Sequence, residues 1–230
     1  MDQTLNNAQS EDEWISVADL MAALMIVFMF IAIVFIKPLS DTKTKVREIA
    51  VAWQETERNI SAALIDEFQE DLKHWDAEID PKNLIVRFKS PEILFDAGKG
   101  TVKPRFKYIL NDFFPRYIRV LEAHHPNIDE IRIEGHTSSD WGALPKNEAY
   151  FKNMALSQTR TRSVLEHVLR NTRISTEYKW VRDLITANGL SSSKPRLSGG
   201  IEDKEQSRRV EFRVKTKAKS EIVKILETVK

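Results

Sequence analysis

One carboxylate stands where carboxylates are rare. Asp19 is followed by seventeen consecutive apolar residues, Leu20 to Ile36. A charged side chain at the centre of a membrane-crossing helix costs about 2.5–3.5 kcal/mol on insertion scales, so such residues usually face a helix bundle or a water path. Desolvation favours the neutral form of a carboxyl group, which suits a group of this kind to taking up and releasing a proton. Ser16 lies one helical turn earlier and could hydrogen-bond to Asp19 or line the same path. A plainer reading puts Asp19 near the helix end, where it reaches interfacial water or caps the helix. Other chemistry is harder to find. The five histidines have no HExxH spacing, and His124-His125 reads as a solvated loop before Pro126. The absence of cysteine excludes disulfides and thiolate metal sites. No Ser-His-Asp, zinc or paired-carboxylate signature is found, so neither catalysis nor a resident metal or cofactor is expected.

Asp19 must be carried by a membrane helix. From Ile15 to Ile36 the segment measures about 33 Å as an α-helix, enough for a hydrocarbon core of about 30 Å. Trp14 and Lys37-Pro38 fit an interface anchor and a stop. A cleaved signal peptide is disfavoured, because Glu11, Asp12 and Glu13 precede the span, no Lys or Arg occurs in the first fourteen residues, and no small-x-small cleavage site follows. The nearby basic residues, Lys37, Lys43, Lys45 and Arg47, all follow the span. Taken alone, the positive-inside rule would leave the bulk of the chain in the cytoplasm, although Asp41 and Glu48 dilute the bias.

The rest of the chain has room for one compact domain. Its 35 basic and 34 acidic residues nearly balance, giving no electrostatic case for a nucleic-acid partner. Residues 41 to 76 predict a helix, with Val46, Ile49, Trp53, Ile60, Leu64, Phe68 and Leu72 at spacings of three, four and seven. This stripe suits a coiled coil between two copies or a helix packed on the domain. Strands are predicted over 84–88, 128–134 and 209–214, and helices over 103–123 (with Pro115 kinking or splitting it), 147–169, 178–187 and 218–229. The fold class is α+β, and the alternation predicts a two-layer α/β sandwich.

Three segments resemble the OmpA-like peptidoglycan-binding family. They are Leu94-Phe95-Asp96-Ala97-Gly98 with Lys103-Pro104; Glu134-Gly135-His136-Thr137 with Asn153, Leu156, Ser157, Arg160 and Val164; and Ser207-Arg208-Arg209-Val210-Glu211. The resemblance covers residues 84 to 215. It implies a peptidoglycan site built from Thr137, Ser138, Asp140, Asn153, Leu156 and Arg160. Chemistry agrees, because a guanidinium can clamp a carboxylate of the stem-peptide diaminopimelate through two parallel N–H bonds. Arg162 reads as a surface residue, and Arg208 and Arg209 as structural. Where the family usually has Asp after Gly-His-Thr, this chain has Ser138, so Asp140 could stand in, or Ser138 could keep a hydrogen bond without the charge. The stretch from Trp141 to Lys152 reads as a local addition to the binding rim.

An early Asp in one span, a helical neck and an OmpA-like domain together resemble the MotB-type stator family. Trp14-Ile-Ser-Val-Ala-Asp19-Leu-Met is similar to its tryptophan-then-Ala-Asp signature. The short acidic N-terminus, Asp-Leu-Met-Ala-Ala-Leu-Met and Gly-His-Thr-Ser-Ser are more similar to the B subunits of Zorya anti-phage defence systems than to flagellar stators. The resemblance implies a MotA-like (ZorA) partner, with five such chains around a homodimer of this one, anchoring to peptidoglycan, and protons or sodium ions passing Asp19. It also implies an inner-membrane location with a cytoplasmic N-terminus (1–14), a span (15–36), a helical neck (37–80), a periplasmic OmpA-like domain (81–217) and a C-terminal helix or tail (218–230). This topology overrides the positive-charge bias. Flagellar rotation and passive wall tethering are the alternative roles.

Overall fold

The computed structural model describes residues 2–89, 91–170 and 172–218, without the side chains of 2–16, 35–45, 91–92, 172–173 and 175. The expected C-terminal helix or tail (all but its first residue) and the Ser16 side chain therefore lie outside the described residues. The chain divides into two units, one of residues 52–221 and another whose described part is residues 2–51.

The smaller unit is helical. Its backbone belongs to α1 (Asp2–Phe68), which runs on through Pro38, where the sequence predicts a stop. A proline removes one i→i−4 bond and leaves the neighbouring turns bonded. Val17–Val34 is a window of mean hydropathy 2.7 in which every residue is exposed. An apolar surface of this size is not left to water and calls for lipid or another chain.

The larger unit is a mixed sheet backed by helices. After α1 come α2 (Leu72–Trp75), β1 (Ala77–Asp80), β2 (Ile85–Phe88), α3 (Pro91–Leu94), α4 (Pro104–Glu122), β3 (Ile128–His136), α5 (Lys146–Leu169), α6 (Thr172–Glu177), α7 (Val181–Leu184), β4 (Ile185–Gly189), the hairpin strands β5 (Leu197–Ser198) and β6 (Ile201–Glu202), α8 (Lys204–Ser207) and β7 (Arg209–Thr216). The sheet order is β1-β2-β7-β3-β4, with only β3 and β4 parallel.

Alternation along β3 and β7 sorts the residues of the sheet onto two faces. Ile131, Ile133, Val210, Phe212 and Val214 enter the core, where Phe113 of α4 sits 5.1 Å from Phe88 and 5.0 Å from Phe212, centroid to centroid. Ile60, Leu64 and Phe68 of α1 are fully buried in the same core. The end of the expected neck is thus part of the domain, and the compact unit begins at Ala52 rather than at residue 81.

Three local expectations change. α4 is not split at Pro115: the lost bond costs about 3 kcal/mol, and eight buried side chains on one helix face outweigh it. The helix predicted over 178–187 is a single turn followed by β4, because pairing of Ile185 to Gly189 with Ile131 to Gly135 overrides local preference. β1 falls beyond the stretch predicted as helix, in the expected neck, and pairs with β2 across the turn at Pro81.

Two glycines set the distance between α5 and the sheet. A Cβ on Gly189 would lie 2.3 Å from the backbone nitrogen of Gln158, and one on Gly135 would lie 3.0 Å from the Ser157 carbonyl oxygen. Thr161 Oγ1 donates to that carbonyl, and Ser157 Oγ accepts from the Ser191 N–H at 3.1 Å. Gly189→Ala is expected to cost at least the 1–3 kcal/mol typical of overpacking, read as a fall in thermal midpoint, whereas Gly142→Ala, with nothing near its Cβ position, is expected to lose only its turn preference.

Candidate functional site

A cavity of about 450 Å³ opens where β3 leaves the sheet, beneath the N-terminal half of α5. Thr137, Ser138, Asp140, Asn153, Leu156 and Arg160 all line it, so the fold brings together the six residues assigned by resemblance. Asn153, Leu156 and Arg160 share one helix face by their spacings of three and four. The turn after α3 forms the opposite wall: the Lys99 N–H donates to the Asp96 carbonyl at 3.0 Å, with Gly98 at φ +69°.

Arg160 is the pivotal group. It is 8% exposed, donates from Nε to the Lys99 carbonyl (3.1 Å) and from Nη2 to the Asp96 carbonyl (3.3 Å), and lies 4.9 Å over the Phe95 ring. Among the described residues it has no carboxylate partner. Burial first, and the Arg208 charge second, pull its pKa down to about 10, so it keeps its proton at neutral pH. A nearly buried cation held by two carbonyls is prepared for an anionic ligand. Thr137 Oγ1 is also buried without a hydrogen-bond partner among the described residues, leaving it free to bond a ligand.

The loop after β3 is pinned. Asn153 Nδ2 donates to the Asp140 carbonyl at 3.0 Å, the Ser139 N–H donates to Glu202 at 3.0 Å, and the Asp140 carboxylate pairs with Lys204. Asp140 is therefore at the cavity but already engaged by a lysine, while Ser138 is 7% exposed. The resemblance did not assign Asp96 and Arg208 to the site, although both line the cavity, as does Trp141, the first residue of the stretch read as an addition to the rim. Asp96 and Arg208 belong to the family-like motifs, which carried the signal. Arg209, beside Arg208, points into the sheet's polar face instead and bonds Glu211 at 2.7 Å. Arg162 is 79% exposed and pairs with Glu166.

That polar face adjoins the cavity through His136-Thr137. Glu211 accepts from Arg87 and Arg209 at 2.7 Å each, and Glu134 from Arg213 at 3.2 Å. Donor atoms of Glu134, His136 and Glu211 lie within 4.8 Å of one another, but a divalent cation would have to displace guanidinium groups already in place. His136 is 3% exposed, its ring nitrogens make no hydrogen bond, and Nε2 stays 3.7–3.8 Å from the two carboxylates. Burial, and then Arg209, hold its pKa below 6.5. Burial works against the ionised form of Glu211, yet Arg209, His136 and Arg87 outweigh it and hold its pKa down to about 2.

Both shifts are downward, so the unfolded chain binds the extra protons and stability falls as the pH falls. Unfolding free energy is expected to decline first below pH 6.5, as the unfolded chain takes up the proton that buried His136 resists. It is expected to fall again from pH 4.5 toward about 2 as Glu211 titrates. Denaturant titrations across this range check it, and His136→Asn should shrink the first stage, leaving the share of His167, whose pKa burial also lowers.

No protein-family model matches the chain. It is 49% identical over 221 residues, 95% of this chain and 94% of the relative, to the Zorya protein ZorB of Escherichia coli. A crystal structure of a putative MotB-like protein from Desulfovibrio vulgaris superimposes with a TM-score of 0.50 at 21% identity, covering 74% of this chain and 98% of that one. The second likeness shows the fold.

Proposed function

The chain belongs to the ZorB family, and on that premise we propose that it is a stator-type subunit of an inner-membrane, ion-driven motor serving anti-phage defence. The Val17–Val34 helix crosses the membrane, Asp19 carries the ion, and the 52–221 unit grips peptidoglycan from the periplasm through the Arg160 cavity. Neither part needs catalysis. One observation carries the reading: a single chain joins a lone carboxylate on an exposed apolar helix to a buried guanidinium that faces an open cavity without a carboxylate partner among the described residues.

The division of labour is physical. An apolar helix exposed along its whole length needs neighbours, and a MotA-like ring of five ZorA-type chains around two copies of this one would cover it. Asp19 then faces protein or a water path and can bind and release a proton, or a sodium ion if partner oxygens complete the shell. Torque on the ring requires that this helix not turn with it. Holding the domain to the cell wall meets that requirement, with the diaminopimelate carboxylate clamped by Arg160 and steadied by Thr137, Ser138 and Asn153. Asp140, engaged by Lys204, contributes at the rim.

Asp19→Asn keeps size and removes titration. With the partner genes present and membrane insertion verified, phage protection is expected to fall to the level of a strain lacking the chain; protection that survives would make the chain a passive tether. Arg160→Ala is expected to reduce retention on purified sacculi at least tenfold, in keeping with the roughly 1.5–3 kcal/mol of a charged hydrogen bond, measured at a temperature where circular dichroism shows the variant folded, since it also gives up its bonds to the Asp96 and Lys99 carbonyls. Retention equal to wild type would remove the wall-anchoring half of the reading.

A further inference from the structure

We propose that Trp141 is a saccharide platform, so that the cavity reads the glycan strand together with the stem peptide. This rests on the cavity being the cell-wall site and adds a second ligand component to it.

Trp141 lines the same cavity as Arg160 and is only partly buried. Among the described residues no ring or cation stacks on its indole, and the indole N–H has no partner. Its loop is held on both sides: the Asp140 carbonyl accepts from Asn153, the Asp140 carboxylate pairs with Lys204, Ser139 bonds Glu202, and the Trp141 carbonyl accepts from the Leu144 N–H at 3.1 Å. The loop that carries the indole is therefore set in place before any ligand arrives, which lowers the ordering cost of binding.

The chemistry of the rim selects the ligand. An indole face carries partial negative charge, and a pyranose ring presents a flat patch of slightly positive C–H bonds that lies well on it. The indole N–H is a donor that a hydroxyl or an acetamido carbonyl can accept from. Asp140 and Arg208 beside it supply the charged acceptors and donors that sugar hydroxyls use. A stem peptide alone would leave this platform uncovered. In peptidoglycan the sugar and the diaminopimelate are separated by two amino acids, about 10 Å of extended chain. A cavity of about 450 Å³ is of the size that takes a ligand larger than one amino acid.

The test uses the full-length chain in detergent and two probes: a disaccharide-tetrapeptide containing diaminopimelate, and the same tetrapeptide freed of its sugars. Trp141→Ala is expected to weaken the disaccharide-tetrapeptide about tenfold, the scale of one aromatic contact with its buried area, and to leave the free tetrapeptide within about twofold. Trp141→Phe should keep most of the affinity for the sugar-bearing probe and serves if the alanine variant folds poorly. Equal weakening of both probes would make the indole a peptide contact or a strut for the loop, and no weakening of either would make it idle; each overturns the proposal. Arg160→Ala separates the underlying reading: it should weaken both probes, and if both still bind as in wild type, the cavity is not the wall site and the saccharide platform falls with it.

Discussion

The closeness of α5 to the edge of the sheet is the constraint on which the rest depends. Gly135 and Gly189 stand opposite each other on the parallel pair β3–β4, and neither position has room for a methyl group under α5. The helix consequently lies low on the sheet, and serines and threonines replace the usual apolar contacts: Ser157, Thr161 and Ser191 are all completely buried. Their hydroxyls bond backbone groups of both layers, so the junction is polar but satisfied. Because α5 is fixed this tightly, Asn153 and Arg160 meet the turn after α3 and the loop after β3 at fixed distances. The cavity is the space left between three elements whose separation the glycines define.

The opposite face of the sheet poses another problem, since it buries charge. Glu134 and Glu211 are each 1% exposed, and Arg87 and Arg209 little more. Isolated buried charges would be prohibitive, yet here each carboxylate accepts from guanidinium groups on its own or an adjacent strand. The alternating Arg209-Val210-Glu211-Phe212-Arg213 of β7 supplies both sides at once: apolar residues to the core, opposite charges to the ladder. His136 sits among these ions with its pKa lowered by burial, and the next residue, Thr137, is already in the cavity wall. Removing one partner would leave an uncompensated ion close to the site.

Two groups lack complements among the described residues. Arg160 faces a cavity with no carboxylate partner, and Asp19 lies on a helix that no other described part of its unit covers. Under the proposed function each is met from outside the chain, Arg160 by a wall fragment and Asp19 by a partner subunit and a transported ion. The proposed saccharide platform has the same logic, an aromatic surface prepared on a pinned loop and left uncovered.

Much of this was legible in the sequence by physical pattern. Seventeen unbroken apolar residues behind Asp19 required a helix that water does not solvate, and strict alternation in 128–134 and 209–214 placed two sheet strands. The spacing of Asn153, Leu156 and Arg160 is enough to put them on one helical face, and the OmpA-like motifs marked that face as the expected binding site. Local pattern failed where long-range pairing or packing decided the outcome. Residues 185–189 are a strand because β3 offers a parallel edge, α4 survives Pro115 because eight side chains are buried along it, and Ile60, Leu64 and Phe68 belong to the domain core although their periodicity served a coiled coil equally well. Composition alone could not reveal that Asp140 is held by Lys204, that Arg160 lacks a carboxylate partner among the described residues, or that Asp96 and Arg208 line the same cavity. Those are facts about which groups meet across the chain, and only the tertiary structure brings them together.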